Sequence, residues 1–585
     1  MRTKRWWLLA MALVTGCSRQ PPETLAGLRD EFVYETLAFS PVAATQAGYH
    51  FHRGENLDSC LDDYGDGSLE RQRRFYRDFR RRLQAAVRPE RLDPEDRADY
   101  DLIRQQIDLA LLELDEIQSW RRNPTLYVEL IGNGLFSPYM LNYAPAPERF
   151  RHIIARLKEV PRLLEQAQRN LSGAPPVWIE AAIEENAGNI SLVDKVLREA
   201  APAELKESYA AAAGPALGAI KAFGQYLRAM APGSADGWRL GKELYAKKFR
   251  YLVGTGRTPD QILADAERDL KAVRKQMWDL ALPLHHKWFP SHRDPVDLNL
   301  IVGEMLAKIA ERHSTRQTYF NDARRDLAET TDFVKRKNLV PLEGAANLEL
   351  IETPEFMRGI YAVGGFVPAP ALEPQLGAFY WLTPIPADWP RERVESKLRE
   401  YNFYSLKLLT IHEAMPGHYV QFEYANRVRP EGRRLLRALF GSGAYIEGWA
   451  VYATQMMLDE GYLEGSPELR LTFLKQLLRV LANAILDVRL HTMGMTDGEA
   501  MDLMLKQTFQ EEEEARAKLR RAKLSSCQLP TYYAGYQEWL RLRVGYQQSR
   551  GKDFNLAEFH RRALEPGAVP LEALRLLLGL AAAPR

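Results

Sequence analysis

A chain of 585 residues, 46% hydrophobic and 27% charged, can bury a large core and has the make-up of an ordinary globular protein. Its 79 basic and 77 acidic residues leave a formal charge of +2, so no basic stripe invites nucleic acid and no acidic tail invites a cationic partner. No internal repeat or low-complexity tract divides it.

The N-terminus carries the first specific signal. Arg2, Lys4 and Arg5 precede an apolar run from Trp6 to Val14. That run is shorter than the roughly 20 residues a helix needs to cross a bilayer, so residues 1–16 read as a signal peptide. Val14-Thr15-Gly16-Cys17 resembles the lipobox of bacterial lipoproteins, which implies that Cys17 takes a lipid and becomes the mature N-terminus. Ser18 is similar to the residue that directs such proteins to the outer membrane, and Pro21-Pro22 suits a tether over residues 17–30. A lipid anchor on the periplasmic face of the outer membrane is therefore expected. The other cysteines, Cys60 and Cys527, lie far apart in sequence, and their pairing stays open.

The rest reads as mainly α-helical. Tyr100–Ile117, Phe150–Ala167, Thr258–Leu280 and Leu471–Leu490 space their apolar residues by three and four. Thr258-Pro259-Asp260 is a helix start, with Thr as cap and Pro in the first turn. Gln510–Lys523, with Glu512–Arg516 and Glu514–Lys518 four apart, reads as a solvated helix face. His285, His286 and His292, interspersed with prolines, suggest a polar surface connection. A β element is expected at about 340–390, where Gly377–Thr383 forms a strand stopped by Pro384 and Pro386. Residues 31–585 are expected to form a single large catalytic region containing that insertion.

The chemistry concentrates in His412-Glu413-Ala414-Met415-Pro416-Gly417-His418 and, downstream, in Tyr445-Ile446-Glu447-Gly448-Trp449. A His-Glu pair alone carries little. A second histidine and a later glutamate complete what a catalytic zinc site needs: three ligands, an open position for water, and a separate carboxylate to take the water's proton. The spacing raises a difficulty. Histidines six apart on an ideal helix lie about 120° from each other. The Pro416-Gly417 pair is expected to break the helix and return His418 toward His412.

HEAMPGHYVQ followed by YIEGWAVY resembles the DUF885 family of bacterial metallopeptidase-like proteins, many of them lipoproteins. Looser similarity runs through Pro41, Thr45, Gly48 and Asp62-Asp63, through Thr258–Leu263, and through Asp487–His491 and Gly567–Leu571. The resemblance implies a large, gluzincin-like helical metalloprotein with His412, His418 and Glu447 as zinc ligands and Glu413 as general base. Many members carry a further histidine where this chain has Tyr419. The resemblance also places a tyrosine near the metal, either Tyr532 or Tyr533, to stabilise charge on the substrate carbonyl. His491 is a second candidate for that role, oriented by Asp487 four residues earlier. Arg489 reads as a solvent-facing ion pair.

The expected activity is zinc-dependent hydrolysis of short peptides, with the strand at Phe379–Leu382 offering an edge to an extended substrate. A zinc hydrolase of a non-peptide amide or ester remains an alternative, as does a non-catalytic envelope binding lipoprotein with a relic site.

Overall fold

Helices form where the apolar spacing is three and four, and they account for nearly all of the regular structure. The computed structural model describes residues 23–581 except 293, 294, 296, 343–346, 355, 356, 359, 360 and 362. The signal peptide, Cys17, Ser18 and Pro21-Pro22 lie outside the described residues. Helix α1 (Leu25–Phe39) begins inside the stretch expected to be tether, because Thr24 caps it by accepting the Gly27 N–H. Among the described residues no helix is long and apolar enough to cross a membrane.

The expected helices appear as α2 (Pro94–Leu112), α3 (Ala146–Asn170) and α4 (Pro259–Trp288). At α4 the Thr258 cap forms a full capping box with Gln261. Helix α4 runs on through Pro283, so His285 and His286 occupy its last turns rather than a surface loop, and His285 is buried. A short two-stranded ribbon, Phe51–His52 with Glu55–Asn56, was not expected from the sequence.

Three strands follow: β1 (Leu348–Glu352), β2 (Gly364–Val367) and β3 (Ala378–Leu382). Their order is β1-β3-β2, with β3 parallel to β1 and antiparallel to β2. The strand expected at Phe379–Leu382 exists, but it is the central one. Both of its edges are already paired, so it cannot accept a substrate strand. Its side chains alternate as a doubly buried strand requires. Ala378, Tyr380 and Leu382 enter the large C-terminal core, while Trp381 and Phe379 pack against the core of the N-terminal helices.

The remaining elements build the site. They are α5 (Phe403–Glu413), α6 (His418–Ala425), α7 (Gly443–Asp459), α8 (Pro467–Thr492), α9 (Glu512–Leu524), α10 (Pro530–Arg550) and α11 (Leu556–Leu564). The pairs α7–α10 and α4–α8 make the most extensive helix contacts of the molecule.

Candidate metal centre

Helix α5 starts where Asn402 accepts the N–H groups of Tyr404 and Ser405. Its buried side chains include Leu406, Leu408 and Ile411, and Lys407 ties it to Asp326 and Glu329 at 2.6 and 2.7 Å. It ends at Glu413, and the chain doubles back through Pro416 and Gly417 to begin α6 at His418. Gly417 sits against the end of α5, with its N–H on the Ile411 carbonyl at 2.9 Å. A Cβ there would lie 1.9 Å from the His412 carbonyl oxygen and 2.4 Å from that of Ile411, so no other residue fits without displacing backbone. Trp449 on α7 locks the break, its indole N–H donating to the carbonyls of Pro416 at 2.9 Å and Gly417 at 3.1 Å.

This return solves the spacing problem posed by the sequence. The rings of His412 and His418 meet edge to face with centroids 4.8 Å apart. Glu447, on α7, completes a triangle. Its Oε2 lies 3.8 Å from His412 Nε2 and 3.5 Å from His418 Nε2. Tyr419 instead points its hydroxyl to Asn347 at 3.0 Å, so position 418 is the one that faces His412.

The triangle fits a zinc ion. Ligands about 2.0–2.2 Å from a tetrahedral centre lie roughly 3.3 Å apart, close to the separations found. Glu447 Oε2 is buried and makes no hydrogen bond of ordinary geometry. His412 and Glu447 keep 22% and 18% side-chain exposure, so water reaches the cluster. Burial, with repulsion from His418, holds the His412 imidazole down to about 3, leaving it neutral. Burial opposes the charge on Glu447, but the attraction of His418, of His412 and of the Tyr532 hydroxyl keeps its carboxyl below the usual range. His418 is raised despite its burial, because Glu447 and Glu413 favour a positive charge there. A neutral imidazole, a carboxylate and a preference for positive charge between them are what a divalent cation requires.

Glu413 stands outside the triangle. Burial pushes its carboxyl up to about 7, with His418 and the Phe366 N–H pulling the other way and Glu447 adding to the rise. The Phe366 contact means that β2, an edge strand, turns its outer side toward the site. On the opposite flank, α7 and α10 cross at Gly448 and Gly535. A Cβ on Gly535 would meet the Ala444 carbonyl at 1.8 Å, and one on Gly448 would meet the Gly535 backbone at 2.4 Å. That close crossing brings the Tyr532 hydroxyl to Glu447.

The other sequence candidates fall elsewhere. Tyr533 faces the opposite side of α10, with its hydroxyl on Asp269 at 2.6 Å and its ring beside a separate cavity of about 260 Å³. His491 is buried against Tyr245 and Trp238, with Nε2 on the carbonyls of Ala522 and Ser525. Asp487 accepts from Tyr245 and the Cys527 N–H, so this pair is core packing. Arg489 makes the expected surface ion pair, with Glu267. Cys60 and Cys527 are free thiols, and Cys527 is buried. Glu512 and Arg516 are the exposed pair expected on α9, but Glu514 turns inward to Arg479 on α8.

A second group, His285, His292 and Glu304, also gathers potential ligands. There His285 Nε2 lies 2.8 Å from Glu304 Oε2, a direct hydrogen bond and closer than two zinc ligands stand. Sequence reasoning missed three site neighbours: Phe366, Tyr361 and Arg521. Nothing in the charged run around Arg521 separates it from the exposed arginines beside it.

No functionally curated protein matches this sequence. The chain resembles a structure described as a putative lipoprotein of unknown function from Shewanella oneidensis, with 31% identity and a TM-score of 0.79, over 95% of this chain and 100% of that one. It also shares its fold with a structure described as a putative lipoprotein from Colwellia psychrerythraea, at 19% identity and a TM-score of 0.74, over 95% of this chain and 98% of the other. Residues 41–578 match the family described as bacterial protein of unknown function, DUF885, and the chain belongs to that family.

Proposed function

We propose that this protein is a zinc-dependent peptidase held at a bacterial envelope by a lipid on Cys17. The observation that carries the reading is the convergence of His412, His418 and Glu447, with ligand atoms within 4.8 Å of one another, beside a carboxylate that is not part of the triangle. A purely structural zinc site closes its fourth position with protein, whereas three ligands and an adjacent general base suit hydrolysis.

Zinc held there would supply Lewis acidity to a water molecule and to the substrate carbonyl. Glu413 would take the proton from that water and return it to the leaving amine, with its burial favouring the protonated form needed for the second step. Tyr532 donates to the carbonyl oxygen as negative charge builds on it. The outer edge of β2 favours a peptide over a small ester. Gly365 and Val367 are the residues positioned to bond to β3, which leaves the backbone groups of Gly364 and the Phe366 carbonyl facing outward, while the Phe366 N–H meets Glu413. A peptide laid along that edge is bound through its backbone, whatever its side chains.

The envelope location rests on the basic and apolar N-terminus ending at Cys17, and on the description of both similar structures as putative lipoproteins. The test is hydrolysis of a short-peptide panel by the zinc-loaded protein. Glu413→Gln should keep its zinc and lose about 10²- to 10⁴-fold in kcat. Hydrolysis by Glu413→Gln at the wild-type rate contradicts the mechanism, and hydrolysis of esters without peptides assigns the site to other substrates.

A further inference from the structure

Arg521, near the end of α9, is solvent-exposed, yet its charge is felt by Glu447 and Tyr532 of the candidate site. Its guanidinium donates to Gln528 Oε1 at 3.2 Å and interacts electrostatically with the Tyr532 hydroxyl. That hydroxyl in turn reaches Glu447. Tyr361, on the far side, feels the charges of both Glu413 and Arg521. Tyr532 thus links Arg521 electrostatically to the candidate ligand Glu447.

Its charge is uncompensated. Among the described residues Arg521 has no carboxylate within ion-pair distance, whereas Arg489, Arg516 and Arg520 each have one and Arg479 has two. Its hydrogen-bond partner Gln528 and the neighbouring Tyr532 are both neutral. The nearest negative charge is Glu447, which a bound dication would consume. Burial and repulsion from Arg479 and Arg521 bring Lys518 down to about 7, although Glu514 pulls the other way. A structural arginine normally satisfies its planar fork with acceptors and its charge with an acid. Arg521 has a neutral acceptor in Gln528 and no paired acid among the described residues, and it holds a water-accessible position.

We propose that Arg521 receives the C-terminal carboxylate of the substrate, so that the enzyme acts one or two residues from the C-terminus of short peptides. This rests on the peptidase reading above and specifies which peptides that site accepts. A guanidinium matches a carboxylate with two parallel N–H donors. A carboxylate at Arg521 leaves room for only a residue or two before the metal ligands, since an extended residue spans about 3.5 Å. The carboxylate is held, not chemically changed, so Arg521 is a specificity residue.

The test uses the zinc-loaded Glu413→Gln protein and two probes, trialanine and trialanine amide, with affinities measured by calorimetry. The free acid should bind about 10- to 100-fold more tightly than the amide. Adding Arg521→Ala should erase that preference, and Arg521→Lys should restore part of it as a point charge. In the active enzyme, Arg521→Ala should raise KM for acids and leave KM for amides unchanged, with zinc content intact. Equal binding of acid and amide overturns the proposal, as does binding of neither. So does an Arg521→Ala variant that weakens both probes alike, which is the signature of an arginine that merely supports Tyr532. A protein that binds the acid selectively but hydrolyses no peptide would remove the peptidase reading and leave the carboxylate site standing.

Discussion

The α-carbon of Gly417 packs so closely over His412 that a Cβ would lie 1.9 Å from the His412 carbonyl oxygen. This contact, rather than any property of the histidines, brings two residues six apart in sequence close enough to hold one metal ion. It turns the chain over the end of α5 and starts α6 with His418 against His412.

Gly417→Ala should therefore damage the site before it damages the fold. The added methyl must push backbone, at a cost of about 1–3 kcal/mol, and the displacement falls on His418. Zinc affinity should drop by at least tenfold, with a modest fall in Tm. Titration against a zinc chelator reads the first and thermal unfolding the second. Unchanged zinc affinity would mean that the break does not position His418.

Tyr532 and Tyr533 are neighbours in sequence and face opposite sides of α10. Tyr532→Phe should lower kcat about 10²- to 10³-fold with little change in KM, since its hydroxyl is placed to meet the charge that develops on the carbonyl. Tyr533→Phe removes a hydrogen bond to Asp269 and should cost about 0.5–1.5 kcal/mol of stability without altering kcat. Steady-state kinetics and denaturant unfolding of the two variants separate the roles. A catalytic defect in Tyr533→Phe alone would reverse the assignment.

Much of this was legible in the sequence. Thr258 with Gln261 announced the start of α4, and the three-and-four spacing placed α2, α3 and α8 because amphipathic helices must bury one face. The break at Pro416-Gly417 was legible because proline and glycine change what a backbone can do. What escaped were facts set by tertiary rotation and order. Asp487 and His491 share a helix face whether that face meets a cleft or the core. Which of two adjacent tyrosines faces Glu447 depends on the phase of α10, and the strands of 348–382 do not reveal that the last lies between the other two. Arg521 looked like any solvated arginine, because its lack of an acidic partner is a property of the folded neighbourhood.

His560 gives a stability prediction away from the metal. It is fully buried on α11, with Nε2 on the Tyr452 hydroxyl at 2.8 Å and Nδ1 on the Leu339 carbonyl at 2.6 Å. Burial pushes it down to about 3, against the Leu339 hydrogen bond and with help from Arg543. The folded value is thus below the unfolded one. Its contribution is fully present above pH 6.5 and is lost as pH falls from there toward 3. Between pH 6.5 and 4.5 the wild type should lose about 2 kcal/mol that a His560→Gln variant does not. Denaturant unfolding across that window measures it, and parallel pH profiles for the two proteins would refute it.

The central claim is that His412, His418 and Glu447 hold one metal ion, and elemental analysis of the purified protein tests it most directly. The account predicts one zinc per chain, lost in His412→Ala, His418→Ala and Glu447→Ala and retained in His285→Ala and His292→Ala. Protein purified with zinc available that carries no stoichiometric metal, or a Glu447→Ala variant that keeps its zinc, would contradict it.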